Sequence, residues 1–330
     1  MTDEQIRKQS EEAIKQWGEQ WERHCVAHSK DSCIKNNLYD FGATGIGKAL
    51  LLVANGYSLE ENITTLKQNQ RMVDIMCCDK SLGHLLDNGI KPKFCLVCDA
   101  NVDYERYLKP FENQLDETIL LINVCANPEW SQNGNWKSKY FFVNRDIIKS
   151  HEKFSEMTGC TNFIPAGTNV SNAMIIMATQ CDNEGKRNFF GYDKLLLLGY
   201  DYSWYFGGKY YAFNETGDGK EDYMKHIYCM NLNGDFAYTS GNLMFSANWL
   251  EKYISTFRLP IVNCSKKTIL QQTKFGDLYE QLQYNFKQED SVKARSICED
   301  LNKIILMKKR LEQELKKIEL EHAYAVMASV

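Results

Sequence analysis

The chain has 330 residues, of which 44% are hydrophobic and 25% charged, and its formal net charge is −4. This is the balance of a globular protein large enough to bury a real core. It argues against a general nucleic-acid binder. No apolar run approaches the ~18–20 residues that span a bilayer, and the charged start MTDEQIRKQSEE lacks the apolar core of a secretory leader.

Twelve cysteines are many. Cys77, Cys78, Cys95, Cys98 and Cys125 lie in apolar strand-like runs, where Cys serves as a small buried hydrophobe. No CxxC pair is followed by a second pair or by a His pair, so no zinc site is expected. Cys95 and Cys98 of CLVC point to opposite faces of a strand, which does not suit shared ligation. The expected compartment is a reducing cytoplasm.

In chain order, residues 3–28 read as an amphipathic helix. Thr2 stands at its cap and Gln5 at the capping-box position. Ile6, Ala13, Ile14, Trp17 and Trp21 recur at helical spacing, as expected of a helix packed on the main domain. ALLLVAN is a buried strand, and SLEENITTLKQNQ is a helix with Ser58 as N-cap. MVDIMCCD is the next strand and KSLGHLLDNG the next helix, with Gly89 as its stop. KPKFCLVCD, ETILLINVCANP, KYFFVN and NFIPAG continue the strands. SNAMIIMATQC is an apolar helix opening at Ser171, and KLLLLGYD is another buried strand. FSANWLEKYIST reads as a helix and LPIVNC as the final strand. Continuous apolar runs alternating with helices predict parallel strands covered on both faces. The fold class is therefore α/β: a Rossmann-like, doubly wound, mostly parallel sheet.

Three segments are expected. Residues 1–44 form an N-terminal helical segment. Residues 45–286 form the Rossmann-like domain, with a Tyr-rich lid or acceptor loop near 202–240. Residues 287–330 form a long C-terminal helix. There Leu301, Ile304, Leu311, Leu315 and Ile318 fit an a/d heptad, with Lys308 and His322 at the remaining a positions. That pattern suits either a short coiled coil that makes a homo-oligomer or a helix lying on the domain.

Two glycine motifs flank the first strand. GATGIGKA nearly spells a P-loop, but a P-loop needs a strand before it and Ser or Thr after its Lys. Here Ala49 follows Lys48 and the strand follows the glycines, so 42–48 is a lead-in loop. ANGYSL passes the context test. It ends the strand, turns at Gly56 and starts a helix whose amides point at the strand's carboxyl end. Other strand ends are polar too: Asp79, Asp99, Asn123, Asn127, Gly167-Thr168 and Asp201. Ligands of open α/β sheets lie across such ends, and the series suits a nucleotide. Helix capping alone accounts for about half of them. The run YDYSWYFGGKYYAF is either a packed hairpin or a source of site hydroxyls. His226 is the His best placed to face a ligand.

The order of these motifs resembles the MptE-like superfamily, which includes Maf-type flagellin glycosyltransferases and 6-hydroxymethylpterin diphosphokinases. The framework is also similar to bacterial sialyltransferases that use a CMP-sugar donor. The resemblance covers roughly residues 45–265. It implies that Asn55, Gly56 and Ser58 contact the nucleotide, although Ala54 and Tyr57 depart from the family's G-x-G-P-S-L turn. Asp79 and Asp99 fall where sialyltransferases carry Asn near the donor. Gly167, Thr168 and Asn169 fall on the loop that holds base and ribose, and Asn123 and Asp201 belong to the same edge. Tyr211 matches a phosphate-binding Tyr, whose partner is Tyr202 or Tyr205. The sialyltransferase base His is replaced by Tyr238, which leaves Tyr238, His226 or neither as the base.

The leading expectation is a glycosyltransferase using a nucleotide-activated sugar, CMP-nonulosonates such as sialic or pseudaminic acid among the candidates. A protein or glycan would be the acceptor, and no metal is required. The alternative is a diphosphokinase of the pterin type needing ATP and Mg²⁺, with Asp79 and Asp99 as ligands or ligand orienters. A non-catalytic nucleotide-binding or assembly module is the third reading.

Overall fold

The computed structural model describes residues 3–41, 44–45, 48–144, 148–165, 167–179, 190, 192, 194–204, 211–214 and 227–286. The first half alternates as its apolar runs require. Helix α1 (Asp3–His28) precedes β1 (Ala49–Val53), α2 (Ser58–Asn69), β2 (Asp74–Cys78), α3 (Asp79–Asp87) and β3 (Phe94–Val97). Then come α4 (Tyr104–Tyr107), β4 (Ile119–Asn123), α5 (Glu129–Gln132), β5 (Ser138–Asn144), α6 (Ile148–Thr158) and β6 (Phe163–Ile164). Helix α7 (Val170–Thr179) leads to β7 (Lys194–Leu198). A hairpin of β8 (Ile227–Met230) and β9 (Phe236–Thr239) follows, then α8 (Gly241–Phe257), β10 (Ile261–Asn263), β11 (Lys274–Phe275) and α9 (Leu278–Phe286).

Among the described residues, nine strands form one sheet in the order β11-β10-β7-β1-β2-β3-β4-β5-β6. Every pairing in it is parallel. The chain winds outward from β1 to β6, returns through α7 and lays β7 on the other side of β1. The direction reverses between β1 and β7, so loops diverge there and open a crevice at the carboxyl edge.

The central strands are buried on both faces. Leu51 and Val53 of β1 join one core with residues of α1, α2, α3, α6 and α9. Leu50 and Leu52 join the opposite core with α7 and α8. This two-sided cover is why α7 is apolar nearly all round: eight of its ten residues are buried. Gly89 ends α3 as expected, with φ +70°, and its N–H donates to Leu86 O at 2.8 Å.

Three features depart from expectation. Part of the irregular region 202–240 is regular: β8 and β9 pair antiparallel, Tyr228 opposite Tyr238 and Met230 opposite Phe236. LPIVNC is not the last strand, because β11 adds an edge beyond β10. Helix α9 then packs Leu278 and Leu282 into the core below α2. The heptad over 287–330 lies outside the described residues. Among those described, no helix is long and apolar enough to cross a membrane.

Helix α1 is fixed to the β4 end of the sheet. Its Cys25 thiol donates to Val124 O (3.4 Å), and His24 Nδ1 lies 2.9 Å from Cys125 O. His28 Nε2 lies 3.1 Å from Ala126 O, while its Nδ1 is 3.0 Å from Ser131 Oγ. The neutral ring that donates to the carbonyl and accepts from the hydroxyl satisfies both contacts. Burial, the largest cause, lowers the His28 pKa from 6.5 to about 4. The unfolded chain therefore binds a proton that the folded chain refuses, so stability falls as pH drops from 6.5 to 4 and levels off below. At 1.36 kcal/mol per pKa unit the loss is about 3 kcal/mol. Denaturant midpoints measured between pH 7 and 4 should fall more steeply for the wild type than for His28→Gln. Parallel curves would refute this account of His28.

Candidate functional site

The site is built where β1 and β7 run side by side past their hydrogen-bonded register. Ala54 N–H donates to Leu198 O and Gly56 N–H to Gly199 O, both at 2.9 Å. The backbones are too close for side chains. A Cβ on Gly56 would lie 2.3 Å from Gly199 O, and one on Gly199 would lie 2.2 Å from Ala54 O. Gly199 also holds φ +76°, which L side chains rarely adopt.

Ser58 and Asp201 fasten this crossing. Asp201 Oδ2 accepts the Ser58 N–H at 2.7 Å, and Oδ1 accepts the Ser58 hydroxyl at 2.6 Å. Ser58 Oγ in turn accepts the Gly199 N–H at 3.1 Å. Ser58 is thus the first residue of α2 and not its N-cap; the capping oxygen arrives from the loop after β7. Burial raises the Asp201 carboxyl above the usual carboxylate range, while the bonds from Ser58 pull the other way. Both residues are buried and spent on the frame.

Beside them lies a cavity of about 210 Å³ at the carboxyl ends of β7, β1, β2 and β3. Asn55, Gly56, Asp79, Asp99, Asn169, Tyr202 and Tyr211 line it, seven positions that the sequence reading had assigned to a ligand. Asp79 is buried at the start of α3, where its Oδ1 accepts the Lys80 N–H at 2.7 Å. Asp99 is exposed at the rim, and its Oδ1 accepts the Asn101 N–H at 2.8 Å. Asn169 stands one residue before α7; its Oδ1 caps the Asn172 N–H at 2.8 Å.

Tyr211 belongs to a short strap over α2 and α3. Ala212 N–H donates to Asn55 O and Phe213 N–H to Glu60 Oε2, both at 3.0 Å. Phe213, at φ +55°, stacks on His84 with ring centroids 4.6 Å apart.

Several expected site residues serve elsewhere. Asn123 is buried and its Oδ1 accepts the Cys125 N–H, turning the chain toward α1. Asn127 bonds Val102 O. The β4 end is closed by α1, which is why these polar groups stay outside the cavity. Thr168 Oγ1 accepts from Asn172 Nδ2 at 2.7 Å. A Cβ on Gly167 would lie 2.5 Å from Ala173 N, so this glycine lets the turn fold against α7. Tyr238 does not line the cavity. Strand alternation points it outward with Tyr228 and Phe236, which are 72% and 76% exposed, while Ala237 and Thr239 turn inward. Tyr205 and His226 lie outside the described residues.

The tyrosine hydroxyls at the cavity are partly committed as well. Tyr202, at φ +54°, donates to Asn172 Oδ1 at 2.6 Å, and Tyr200 donates to Ser171 O at 2.8 Å. Burial pushes both phenols up, so neither takes the role of a base. The Cys78 thiol, pushed up to about 12 by burial, is not a nucleophile either.

Sequence reasoning missed Lys80, Tyr200, Ser203 and Leu243, which also line the cavity. A signal for Lys80 was present. Cations in the first turn of a helix oppose the macrodipole, so a Lys following a strand-end Asp needs another reason to be there.

The sequence matches the family model described as 6-hydroxymethylpterin diphosphokinase MptE-like over residues 26–205. No curated protein matches the chain. Among solved structures, a Maf glycosyltransferase from Magnetospirillum magneticum AMB-1 is similar, with a TM-score of 0.56 and 17% identity. The likeness covers 78% of this chain but 38% of that one, so this chain spans well under half of its length. At that identity the likeness is one of fold.

Ser58→Ala would leave Asp201 Oδ1 and the Gly199 N–H buried without their partner. A loss of about 2–4 kcal/mol is expected in urea unfolding, and Gly199→Ala should cost at least as much through strain and overlap. A change below about 0.5 kcal/mol in both variants would show that the crossing does not govern stability.

Proposed function

The chain belongs to the MptE-like family, and from that premise we propose that it is a transferase whose nucleotide substrate binds across the ends of β7, β1, β2 and β3. The reading we favour is transfer of a sugar from a nucleotide-activated donor to a hydroxyl of a protein or glycan acceptor. The observation that carries it is the cavity at the β1/β7 reversal, where seven residues expected at a nucleotide converge from five separate loops.

In this reading the turn Ala54-Asn55-Gly56 lets the donor approach the backbone, and Asn169 and Ser171 at the start of α7 border the base and ribose. Tyr211, on the strap, presents its hydroxyl to the leaving phosphate, where developing charge is stabilised. Asp99, exposed at the rim, takes the proton of the acceptor hydroxyl. It takes that role in this reading because it lines the cavity, whereas Tyr238 does not.

A second reading rests on the pair Asp79 and Asp99. Mg²⁺ is held by one or two carboxylates together with substrate phosphates, and two carboxylates at one cavity fit that pattern. Among the described residues no group of three or more His, Cys, Asp or Glu could hold a metal without such phosphates. Bound there, Mg²⁺ would neutralise phosphate charge during pyrophosphoryl transfer from ATP to a hydroxymethyl-pterin. The chain's own part is to hold the two carboxylates and orient the hydroxyl.

The readings separate cleanly. Incubation with a panel of CMP- and UDP-sugars should release nucleotide, and Asp99→Asn should slow that release about 10²-fold or more while leaving thermal unfolding unchanged. AMP release that requires both pterin and Mg²⁺, with no donor turned over, would replace the first reading by the second.

A further inference from the structure

Among the described residues, a substrate phosphate entering this cavity meets two carboxyl groups, Asp79 and Asp99, and one cationic side chain, Lys80. Carboxylate oxygens repel a phosphate, so binding of an anion depends on what opposes them. The N-terminal amides of α3 do not fully serve, because the Lys80 N–H is already donated to Asp79 Oδ1. The side chain of the same residue also lines the cavity.

Its placement is held from two sides. The Lys80 ammonium lies 5.1 Å from the ring centroid of Tyr211 and 5.9 Å from that of Tyr107. Cation–π contacts of this kind hold a charge in place. Tyr107 belongs to α4 and Tyr211 to the strap fastened to Asn55 and Glu60. A cation at the second position of a helix works against the macrodipole, and a surface role would not need it there. A strongly hydrated ammonium on a flexible stem is suited to a phosphate as a point charge.

We propose that Lys80 is the phosphate-recognition residue of this cavity, and that it makes the site select nucleotides by their phosphate over the corresponding nucleosides. The inference rests on the nucleotide reading above but not on which transfer follows. Either a sugar nucleotide or ATP would present the phosphate that Lys80 engages, and Tyr211 would sense it through the shared cation–π contact.

The test uses inorganic pyrophosphate as the probe, with full-length protein and isothermal titration calorimetry. Wild type should bind pyrophosphate, Lys80→Met should bind it about 10- to 100-fold more weakly, and Lys80→Arg should recover most of the loss. Affinity should fall with added salt in wild type and Lys80→Arg more than in Lys80→Met. CMP, UDP and ATP should show the same Lys80 dependence, whereas cytidine, uridine and adenosine should not. Thermal unfolding of each variant checks folding. Failure of wild type to bind pyrophosphate, or equal binding by Lys80→Met, would overturn the proposal. A Lys80→Met variant that loses thermal stability but keeps its pyrophosphate affinity would make the residue a structural brace and overturn it too. Pyrophosphate binding that needs Lys80, in a protein that turns over no sugar nucleotide, would uphold Lys80 and remove only the glycosyl-transfer reading.

Discussion

The structure depends on how closely β1 and β7 approach as they leave the sheet. Gly56 and Gly199 make the approach sterically possible, and the Ser58–Asp201 pair makes it favourable. In a parallel sheet the strand ends would otherwise be joined only by ladder bonds that stop at the last paired residue. Here a carboxylate from one loop caps the helix that begins in the other. The N-terminal amides of α2 therefore receive a negative partner built into the protein. One consequence is that this helix start is not open to a substrate anion, although a βα turn of this kind often is.

That internal use shifts the site's electrostatics one strand over. Among the described residues, the ionisable acidic and basic groups lining the cavity come from the ends of β2 and β3, where Asp79, Lys80 and Asp99 converge. The strap from Tyr211 to Asn214 closes over the same place and is tied to both α2 and the Asn55 turn. On the far side α1 seals the β4 end with a run of contacts to three successive carbonyls, Val124, Cys125 and Ala126. The sheet has nine strands among the described residues, and the cavity lies at the ends of four. What remains is a recess flanked by the buried Tyr200 and Tyr202, whose hydroxyls bond Ser171 O and Asn172 Oδ1.

How legible this was varied by feature. The strands β1 to β5 and β7 could be read directly, because uninterrupted runs such as ALLLV and KLLLL have only one environment that covers both faces. Gly89 could be read as a helix stop because a positive φ admits few other residues. The hairpin β8–β9 could not, since its exposed face carries Tyr and Phe and erases the alternation that marks a half-buried strand. Ser58 was seen at the right place with the wrong partner: sequence showed a residue able to cap, and only the fold brought Asp201 to it across more than a hundred residues.

The sequence by itself determined the alternation of elements, the parallel sheet and the identity of the polar residues at its carboxyl edge. These are local properties, set by the period of apolar residues and by backbone preferences within a few positions. Tertiary structure decided which of those polar residues line the cavity. Asn123, Thr168 and Asp201 are chemically as suitable as Asn55, Asp79 and Asp99, but packing turns them to bonds outside the cavity that the other three line. A buried polar group takes the nearest partner that packing supplies, and packing joins residues far apart in the chain. Whether a side chain serves the frame or the cavity is thus fixed by its neighbours in space, which a linear pattern does not record.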